Sequence, residues 1–344
     1  MPFCIPDSHL AEFSGMATDE RNGMTHCEAP PLSTLIDVHH HATLQVVTNK
    51  QEELGLTVPD WLPKWSPEIA VDRMDEIGTT ASVLSLPTDL GFLPSSERPA
   101  LIRAMNEELT RLVSEHPSRF GAFASLPMLS PDDATAEAVR ALDELELEGI
   151  CILSSYDGAY LSDPQYVELL AELNKRRAVV FIHPILVKEK VADLPPALLE
   201  GTFDTTRFAT KMAAANAFER FPNIRFILPH TGGMVPYIKW RIAMYALQGD
   251  LWTTETDPAD FDREIAKLDG LYYDTTLNLG PLQHLERPDR ILFGTDIPWC
   301  SKTVLHLQRD KVFEQAAQLG PDNAEAIASG NALSLFPRLA ERIR

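Results

Sequence analysis

Residues 178–184 read AVVFIHP, and their apolar side chains continue without a break up to a histidine. A second run, IRFILPH, occupies residues 224–230, is apolar apart from Arg225, and also leads to a histidine. Unbroken apolar runs of this length are typical of strands buried on both faces, as in a parallel sheet covered by helices. Both runs therefore predict interior strands that end in a polar side chain.

Six further strand-like runs extend this pattern, at residues 34–39, 81–86, 119–126, 149–154, 271–277 and 290–296. Segments with helical periodicity lie between the strands, among them residues 67–78, 98–116, 131–145, 164–176 and 205–221. Eight βα units in 344 residues predict an α/β fold, a single (β/α)8 TIM barrel over residues 34–344 that includes C-terminal helices. No GxGxxG follows the first strand, so a doubly wound dinucleotide-binding sheet is the weaker alternative.

The two longest irregular stretches are predicted after the first strand, at residues 42–66, and after the fifth, at residues 186–204. Loops at the carboxyl ends of barrel strands surround the active site, so both stretches are candidate lids. At the end of the second stretch, Asp204 begins the segment Asp-Thr-Thr-Arg and is predicted to cap a helix.

The chain carries 50 acidic and 30 basic residues, a formal net charge of −20. Such a charge repels nucleic acids and anionic membrane surfaces unless a basic patch offsets it. The only basic clusters, at residues 175–177 and 188–190, are short and flanked by acidic or apolar residues. The composition therefore argues against nucleic acid and membrane partners.

Four cysteines, Cys4, Cys27, Cys151 and Cys300, lie far apart without a CxxC spacing, which argues against a disulfide framework and a cysteine zinc site. Residues 1–33 lack the basic start and the apolar middle of a signal peptide, and no apolar run reaches the roughly 18 residues that span a bilayer. We expect a cytoplasmic protein with a poorly ordered N-terminal extension over residues 1–33.

Polar residues at the predicted strand ends form one constellation. The first strand leads into DVHHH, and strand alternation places His39 and His41 on one side and His40 on the other. Imidazoles together with a carboxylate suit a divalent ion such as Zn²⁺, with one coordination position left for water or substrate. The ends of the other strands add three groups to this set: His183, His230 and Asp296.

Each of these residues has an ordinary structural alternative when it is taken alone. A histidine run can lie on the surface, and His183 can be a hydrogen-bonded core histidine. His230 can close a strand before Thr-Gly-Gly, and Asp296 can form a turn before Ile-Pro. The metal site is favoured because all of them fall at predicted strand ends, a coincidence that the alternatives do not explain.

The order of these groups resembles that of the amidohydrolase superfamily, with HxH on strand one, histidines ending strands five and six, and an aspartate ending strand eight. The resemblance runs from about residue 34 to the end of the chain. It is strongest to the branch that contains amino-carboxymuconate-semialdehyde decarboxylase and the resorcylate- and salicylate-type decarboxylases. Several stretches look especially like the 6-methylsalicylate decarboxylase group, among them IDVHHH, ELNKRRAVVFIHP, FDTTR, LPHTGGMVPYI and ILFGTDIPW.

The resemblance implies that one divalent metal ion, Zn²⁺ first and Mn²⁺ as the alternative, is bound by His39, His41, His183 and Asp296. It also implies that His230 is a catalytic group beside the metal. The fourth strand ends in CILSSY rather than in a lysine, so a carbamylated-lysine bridge between two metals is not supported. The expected reaction is the non-oxidative decarboxylation of a small hydroxylated aromatic carboxylic acid of the salicylate type, in which Asp296 protonates the ring carbon.

Five further residues are candidates for binding the substrate. Trp299 lies where relatives carry a pocket aromatic. Arg241 matches an arginine that in one relative reaches a neighbouring subunit's active site, which implies a homodimer. Arg207 can meet a carboxylate, and Trp61 and Trp65 in the loop after the first strand can cover an aromatic ring. Ordinary packing, or a dimer-interface salt bridge for Arg241, is the alternative reading.

Two other functions fit the same residues. A hydrolase would use metal-activated water on a lactone or amide, with Asp296 as the base and His230 steadying the oxyanion. A non-catalytic metal-binding barrel is the third possibility, since a fold does not fix a function. Release of CO₂ from salicylate-like acids distinguishes the first function from the other two.

Overall fold

A computed structural model describes residues 34–56, 63–185, 193–248, 257–277 and 280–344. The predicted N-terminal extension over residues 1–33 lies outside these ranges, as do Trp61 and residues 186–192 of the second candidate lid.

Eight parallel strands form one sheet in chain order, which confirms the predicted barrel. Each strand pairs with the next one in sequence. The last strand meets the first through backbone hydrogen bonds: the N–H of Val38 donates to the carbonyl of Phe293 at 2.9 Å. The strands are β1 (Ile36–His41), β2 (Ala81–Ser85), β3 (Phe120–Ser125), β4 (Gly149–Leu153), β5 (Val179–His183), β6 (Arg225–Leu228), β7 (Tyr272–Asp274) and β8 (Ile291–Leu292).

Helices surround the barrel, and α2 shows why these segments are helical. Ser66 accepts a hydrogen bond from the N–H of Ile69 at 3.2 Å, Pro67 occupies the first turn, and Gly78 ends the helix with φ 76°. None of the helices among the described residues is both long and apolar enough to cross a membrane. The helices are α1 (Gln45–Glu53), α2 (Pro67–Ile77), α3 (Arg98–Glu115), α4 (Pro131–Asp143), α5 (Val167–Lys175), α6 (Glu200–Ala214), α7 (Ala217–Arg220), α8 (Val235–Ala246), α9 (Pro258–Asp269), α10 (Lys302–Gln318), α11 (Pro321–Glu325), α12 (Asn331–Leu335) and α13 (Pro337–Arg342).

The first predicted lid is not a continuous loop, because it contains α1. The sequence of α1 has no side-chain cap of its own. Instead the Glu108 carboxylate on α3 accepts the N–H groups of Gln45 at 2.8 Å and Val46 at 2.9 Å. A residue distant in sequence therefore accepts two of the N–H groups that have no partner within the helix, and so stabilises it.

The single helix predicted over residues 205–221 is two helices in the structure, α6 and α7. It begins earlier, at Glu200, so Asp204 lies inside α6 and the prediction that it caps the helix is wrong. It also breaks at Asn216, whose φ of 52° is left-handed, and α7 begins at Ala217.

The amino end of the barrel is filled with apolar side chains and closed by the C-terminal helices. Ile36, Val38 and Phe181 from the strands form one cluster with Phe336 and Leu339 from the C-terminal segment. The rings of Phe123 and Phe336 meet edge to face, with centroids 5.7 Å apart. Because this end is sealed, the carboxyl end is left for polar chemistry.

Candidate metal centre

Four strands bring the predicted residues to the carboxyl end of the barrel. His39 and His41 end β1, and His183 ends β5. His230 follows β6 and Asp296 follows β8. Carboxyl ends of parallel strands meet at one face, so residues far apart in sequence become neighbours here.

The donor atoms of these side chains are close enough to share one cation. The Nε2 atoms of His39 and His41 are 3.0 Å apart. The Asp296 Oδ1 atom lies 3.0 Å from the His41 Nε2 and 3.5 Å from the His39 Nε2. Two overlapping groups, one of His39, His41 and His183 and one of His39, His230 and Asp296, each have their donor atoms within 4.8 Å of one another.

Hydrogen bonds at the other ring nitrogen fix the tautomers of three histidines. The His39 Nδ1 donates to Asp274 Oδ2 at 2.8 Å, and the His183 Nδ1 donates to the carbonyl of Pro184 at 3.0 Å. The His41 Nδ1 lies 3.1 Å from the Ser85 hydroxyl, which accepts from it while donating to the carbonyl of His40. With each ring neutral, every Nε2 presents a lone pair, and those of His39 and His41 face each other at 3.0 Å. A cation between them removes this repulsion, so the donor set fits a divalent metal ion.

The protonation states agree with that role. Burial, together with the nearby His41 and His39, lowers the pKa of His183 well below its ordinary value. Burial also lowers the pKa of His41 and of His230. Burial alone would raise the pKa of Asp296, but the hydrogen bond to His41 and the charge of His39 hold it well below its usual range. Neutral imidazoles and an ionised carboxylate are the forms that bind metals.

Asp274 is the carboxylate that orients His39. Burial alone would lower the pKa of His39, but the charge and hydrogen bond of Asp274 outweigh it and raise the pKa. The second oxygen of Asp274 accepts the backbone N–H groups of His230 at 2.9 Å and Thr276 at 3.0 Å. One buried carboxylate thus fixes the His39 ring and the backbone at His230.

Asp37 holds the backbone at His39 and at Thr295, the residue before Asp296. Its Oδ1 accepts the N–H of His39 at 2.9 Å and the N–H of Thr295 at 3.1 Å. Its Oδ2 accepts the hydroxyl groups of Thr295 at 2.7 Å and Ser82 at 3.3 Å. A single buried carboxylate therefore ties β1 to the residue that precedes Asp296. The sequence reasoning missed this role, although an aspartate inside an otherwise apolar strand was the available signal.

The backbone at His230 and Asp296 is left-handed, with φ of 55° and 63°. Residues other than glycine are uncommon in this region and cluster at functional sites. Glycines complete the turn after His230, since an added Cβ would lie 2.4 Å from the Tyr273 ring at Gly232 and 2.2 Å from the Thr202 carbonyl at Gly233. The two glycines are therefore required for this turn. The His230 Nδ1 atom is buried and has no hydrogen-bond partner among the described residues.

His40 faces away from the cluster, as strand alternation predicts, but it is fully buried. Its Nε2 accepts the indole N–H of Trp65 at 3.1 Å, and its Nδ1 lies 3.5 Å from Asp37 Oδ2. Trp65, a predicted substrate contact, thus makes its hydrogen bond on the outer side of β1.

Trp299 is the predicted substrate contact that lies nearest to the cluster along the chain. Its backbone N–H donates to the carbonyl of Asp296 at 2.7 Å, and 51% of the residue is exposed. An exposed indole therefore stands beside the Asp296 turn. Of the other predicted contacts, Arg207 is exposed on α6 and Arg241 is exposed on α8. The described part of the chain thus does not place either arginine in the site.

Residues 36–338 match a protein-family model described as Amidohydrolase. The chain is 31% identical over 332 residues to Decarboxylase yanB of Aspergillus niger, with 88% of this chain and 87% of that protein covered. It is 30% identical over 318 residues to 6-methylsalicylic acid decarboxylase acuB of Aspergillus aculeatus, with 88% and 96% covered. A dihydroxybenzoic acid decarboxylase from Polaromonas sp. JS666, solved with bound manganese and the inhibitor 2-nitroresorcinol, has a similar fold. That match has a TM-score of 0.69 at 22% identity and covers 88% of this chain and 97% of the other. The similarity therefore extends over the barrel as a whole.

Proposed function

The chain belongs to the amidohydrolase family, and on that premise we propose that it is a metal-dependent, non-oxidative decarboxylase of a small hydroxylated aromatic acid. The observation that carries the proposal is the approach of the Nε2 atoms of His39 and His41 to 3.0 Å beside the Asp296 carboxylate. Relatives with decarboxylase names cover most of the chain, and one is named for 6-methylsalicylic acid. These names support a carboxy-lyase and a salicylate-type substrate.

We assign the metal to His39, His41, His183 and Asp296. A set of three imidazoles and one carboxylate suits Zn²⁺, and Mn²⁺ accepts the same ligands. The manganese in the Polaromonas protein supports a divalent ion and makes Mn²⁺ the alternative to Zn²⁺. Bound there, a divalent ion would supply Lewis acidity toward the oxygens of the acid.

Asp296 is the group that we assign to proton transfer. Decarboxylation without a redox cofactor requires a proton on the ring carbon that bears the carboxylate. The bond to the carboxylate then breaks, its electron pair returns to the ring, and CO₂ leaves. Asp296 is ionised in the free site because its pKa is low, so the proton that it delivers has to be taken first from the phenol of the bound acid, which becomes the phenolate. A positioned general acid of this kind contributes about 10² to 10⁴-fold to a rate.

His230 is the group that we assign to orienting the substrate. Burial lowers its pKa, so the ring is neutral and can donate one hydrogen bond and accept another. Its backbone is fixed by Asp274 and by the glycine turn that follows. A rigid, neutral ring beside the carboxylate can hold a substrate oxygen without competing with Asp296 for its proton.

Trp299 remains our candidate for contact with the aromatic ring, since it is exposed beside Asp296. For Arg241 we propose a place in a homodimer interface. It lies on α8, where Tyr237, Trp240, Met244 and Tyr245 form an exposed apolar stripe, with Trp240 60% exposed. Sedimentation equilibrium tests this assembly. A cytoplasmic location also remains a proposal, and it is supported by the free cysteines Cys151 and Cys300.

The test is CO₂ release from a panel of hydroxylated benzoic acids, including 6-methylsalicylate and 2,6-dihydroxybenzoate, with metal content measured on the same preparations. We expect CO₂ release, about one metal per chain, and loss of both in His39→Ala. His306→Ala is the matched control, because His306 lies on α10 and its ring nitrogen is 3.6 Å from Glu76.

Two outcomes would overturn the proposal. Hydrolysis of lactones or amides without CO₂ release from any acid would identify a hydrolase. Absence of stoichiometric metal and of any turnover would identify a non-catalytic barrel.

A further inference from the structure

Asp204 reaches from α6 to the ends of β4 and β5. Its Oδ2 accepts the backbone N–H of Ile185 at 2.9 Å and also accepts the hydroxyl of Ser154. The N–H of Ser154 in turn donates to the carbonyl of His183 at 2.8 Å. The helix, the end of β4 and the segment after His183 are therefore fastened together at one carboxylate.

The peptide unit between Pro184 and Ile185 connects this carboxylate to the His183 ring. Its N–H faces Asp204, and its carbonyl accepts from the His183 Nδ1 at 3.0 Å. The unit is trans, since Ile297–Pro298 is the cis bond that the described residues contain. In a trans unit the N–H and the carbonyl point to opposite sides of one plane. A carboxylate that binds the N–H therefore polarises the carbonyl on the far side.

Among the described residues, Asp204 makes no ion pair close enough to explain its burial by charge alone. In the described structure its cationic neighbour is Arg207, whose Nη1 lies 3.9 Å from Asp204 Oδ1 and whose side chain is more than half exposed. Only 12% of the Asp204 side chain is exposed. A carboxylate buried in this way is costly unless its hydrogen bonds are satisfied. Its close contacts are with Ser154 and with the peptide beside His183.

We propose that Asp204 is a positioning residue that acts on His183 through the Pro184–Ile185 peptide. It fixes the plane of that peptide, the polarised carbonyl keeps the proton of His183 on Nδ1, and the Nε2 lone pair remains available to the metal. Asp274 does the same for His39 by direct contact, whereas Asp204 does it with a peptide unit in between. The inference rests on the proposed function, in which His183 is a metal ligand.

The test compares metal binding by Asp204→Ala and Asp204→Asn with the wild-type protein. Metal-free proteins are titrated with Zn²⁺ against a chromophoric chelator. We expect Asp204→Ala to bind Zn²⁺ about tenfold or more weakly, the usual effect of losing an outer-shell partner. Asp204→Asn keeps an acceptor for Ile185 but loses the charge, so we expect a smaller loss in the same direction. In the metal-free protein, ¹⁵N spectra of labelled histidine should show a gain of the Nε2–H tautomer of His183 in Asp204→Ala.

Glu148→Gln is the matched control for damage to folding. Glu148 precedes β4 at the opposite end of the barrel, and its nearly buried carboxylate lies 2.7 Å from Arg342 Nη2. We expect this variant to lower the melting temperature without changing Zn²⁺ affinity.

The outcomes separate this inference from the proposed function. A wild-type protein that binds no metal overturns both. A wild-type protein that binds Zn²⁺ while Asp204→Ala keeps the same affinity overturns only the role of Asp204. If Asp204→Ala does not fold, Asp204→Asn is the test instead, and an unchanged Zn²⁺ affinity in that variant overturns the polarising role.

Discussion

The two ends of the barrel are built from the same strands and are buried to a similar degree, but they are stabilised differently. At the amino end, Val38 and Phe181 pack in one apolar cluster with Phe336. At the carboxyl end of the same strands, His39 and His183 are held by hydrogen bonds to a carboxylate and to a peptide carbonyl. Shape complementarity stabilises the first end, and directed hydrogen bonds position side chains at the second. Substitutions at the amino end should therefore lower the free energy of unfolding with little effect on kcat. Substitutions at the carboxyl end should lower kcat or metal affinity more than the free energy of unfolding.

The largest effect is expected at the carboxyl end, for Asp296→Asn. The amide has nearly the same shape as the carboxylate but cannot deliver the proton, so we expect kcat to fall by about 10² to 10⁴-fold. Steady-state CO₂ release measures the loss, and circular dichroism should show an unchanged fold. Asp289→Asn is the control, since Asp289 is an exposed carboxylate paired with Arg287. Retained activity in Asp296→Asn would remove the assigned role.

The amino end gives the next largest effect, for Phe336→Ala. Phe336 is fully buried and contacts the Phe123 ring, so the cavity left by the substitution should cost about 3–5 kcal/mol of unfolding free energy. Urea unfolding measures the cost, and kcat of the folded fraction should be nearly unchanged. Leu307→Ala is the control, since Leu307 is 57% exposed. A large loss of kcat at full folding would contradict the separation of the two ends.

The sequence was sufficient to predict the strands and the residues at their ends. Unbroken apolar runs such as 178–184 identify buried strands, and parallel strands bring their last residues to one face. His39, His41 and His183 could therefore be placed together before any coordinates were known. Local patterns were enough because each of these features depends on a few neighbouring residues.

The supporting contacts could not be predicted in the same way. Asp37 binds Thr295 and Asp204 binds Ile185, and in each case the partners come from different elements of the fold. The helix α1 depends on Glu108, and the break before α7 depends on one residue in a left-handed conformation. Such contacts are set by tertiary packing, which overrides local propensity.

A moderate effect is expected for Asp274→Asn, which changes no direct ligand in the proposed site. Asp274 accepts three N–H groups, from the His39 ring and from two backbone positions. Either orientation of an asparagine amide places its NH₂ against one of these donors, so we expect metal affinity to fall by about 10 to 100-fold. Chelator competition measures the change. Asp310→Asn is the exposed control, and equal affinities for the two variants would show that the His39 ring does not need its carboxylate.

The smallest effect on activity is expected for His40→Gln, although His40 lies between two site histidines in the sequence. Burial lowers its pKa, and its neutral ring connects Trp65 to Asp37 on the outer side of β1. Loss of the ring removes the acceptor of the half-buried Trp65 indole N–H, which should cost about 0.5–1.5 kcal/mol of stability. Asp37 still accepts four other hydrogen bonds, so the backbone at His39 should stay fixed. We therefore expect kcat and metal affinity to fall by less than about tenfold, the smallest loss usual for a residue that supports a metal ligand. His41→Gln is the matched comparison, because the adjacent residue makes the same change on the inner side and should lose the metal. Equal losses of activity in the two variants would contradict the assignment of the inner side of β1 to the metal site and of its outer side to packing.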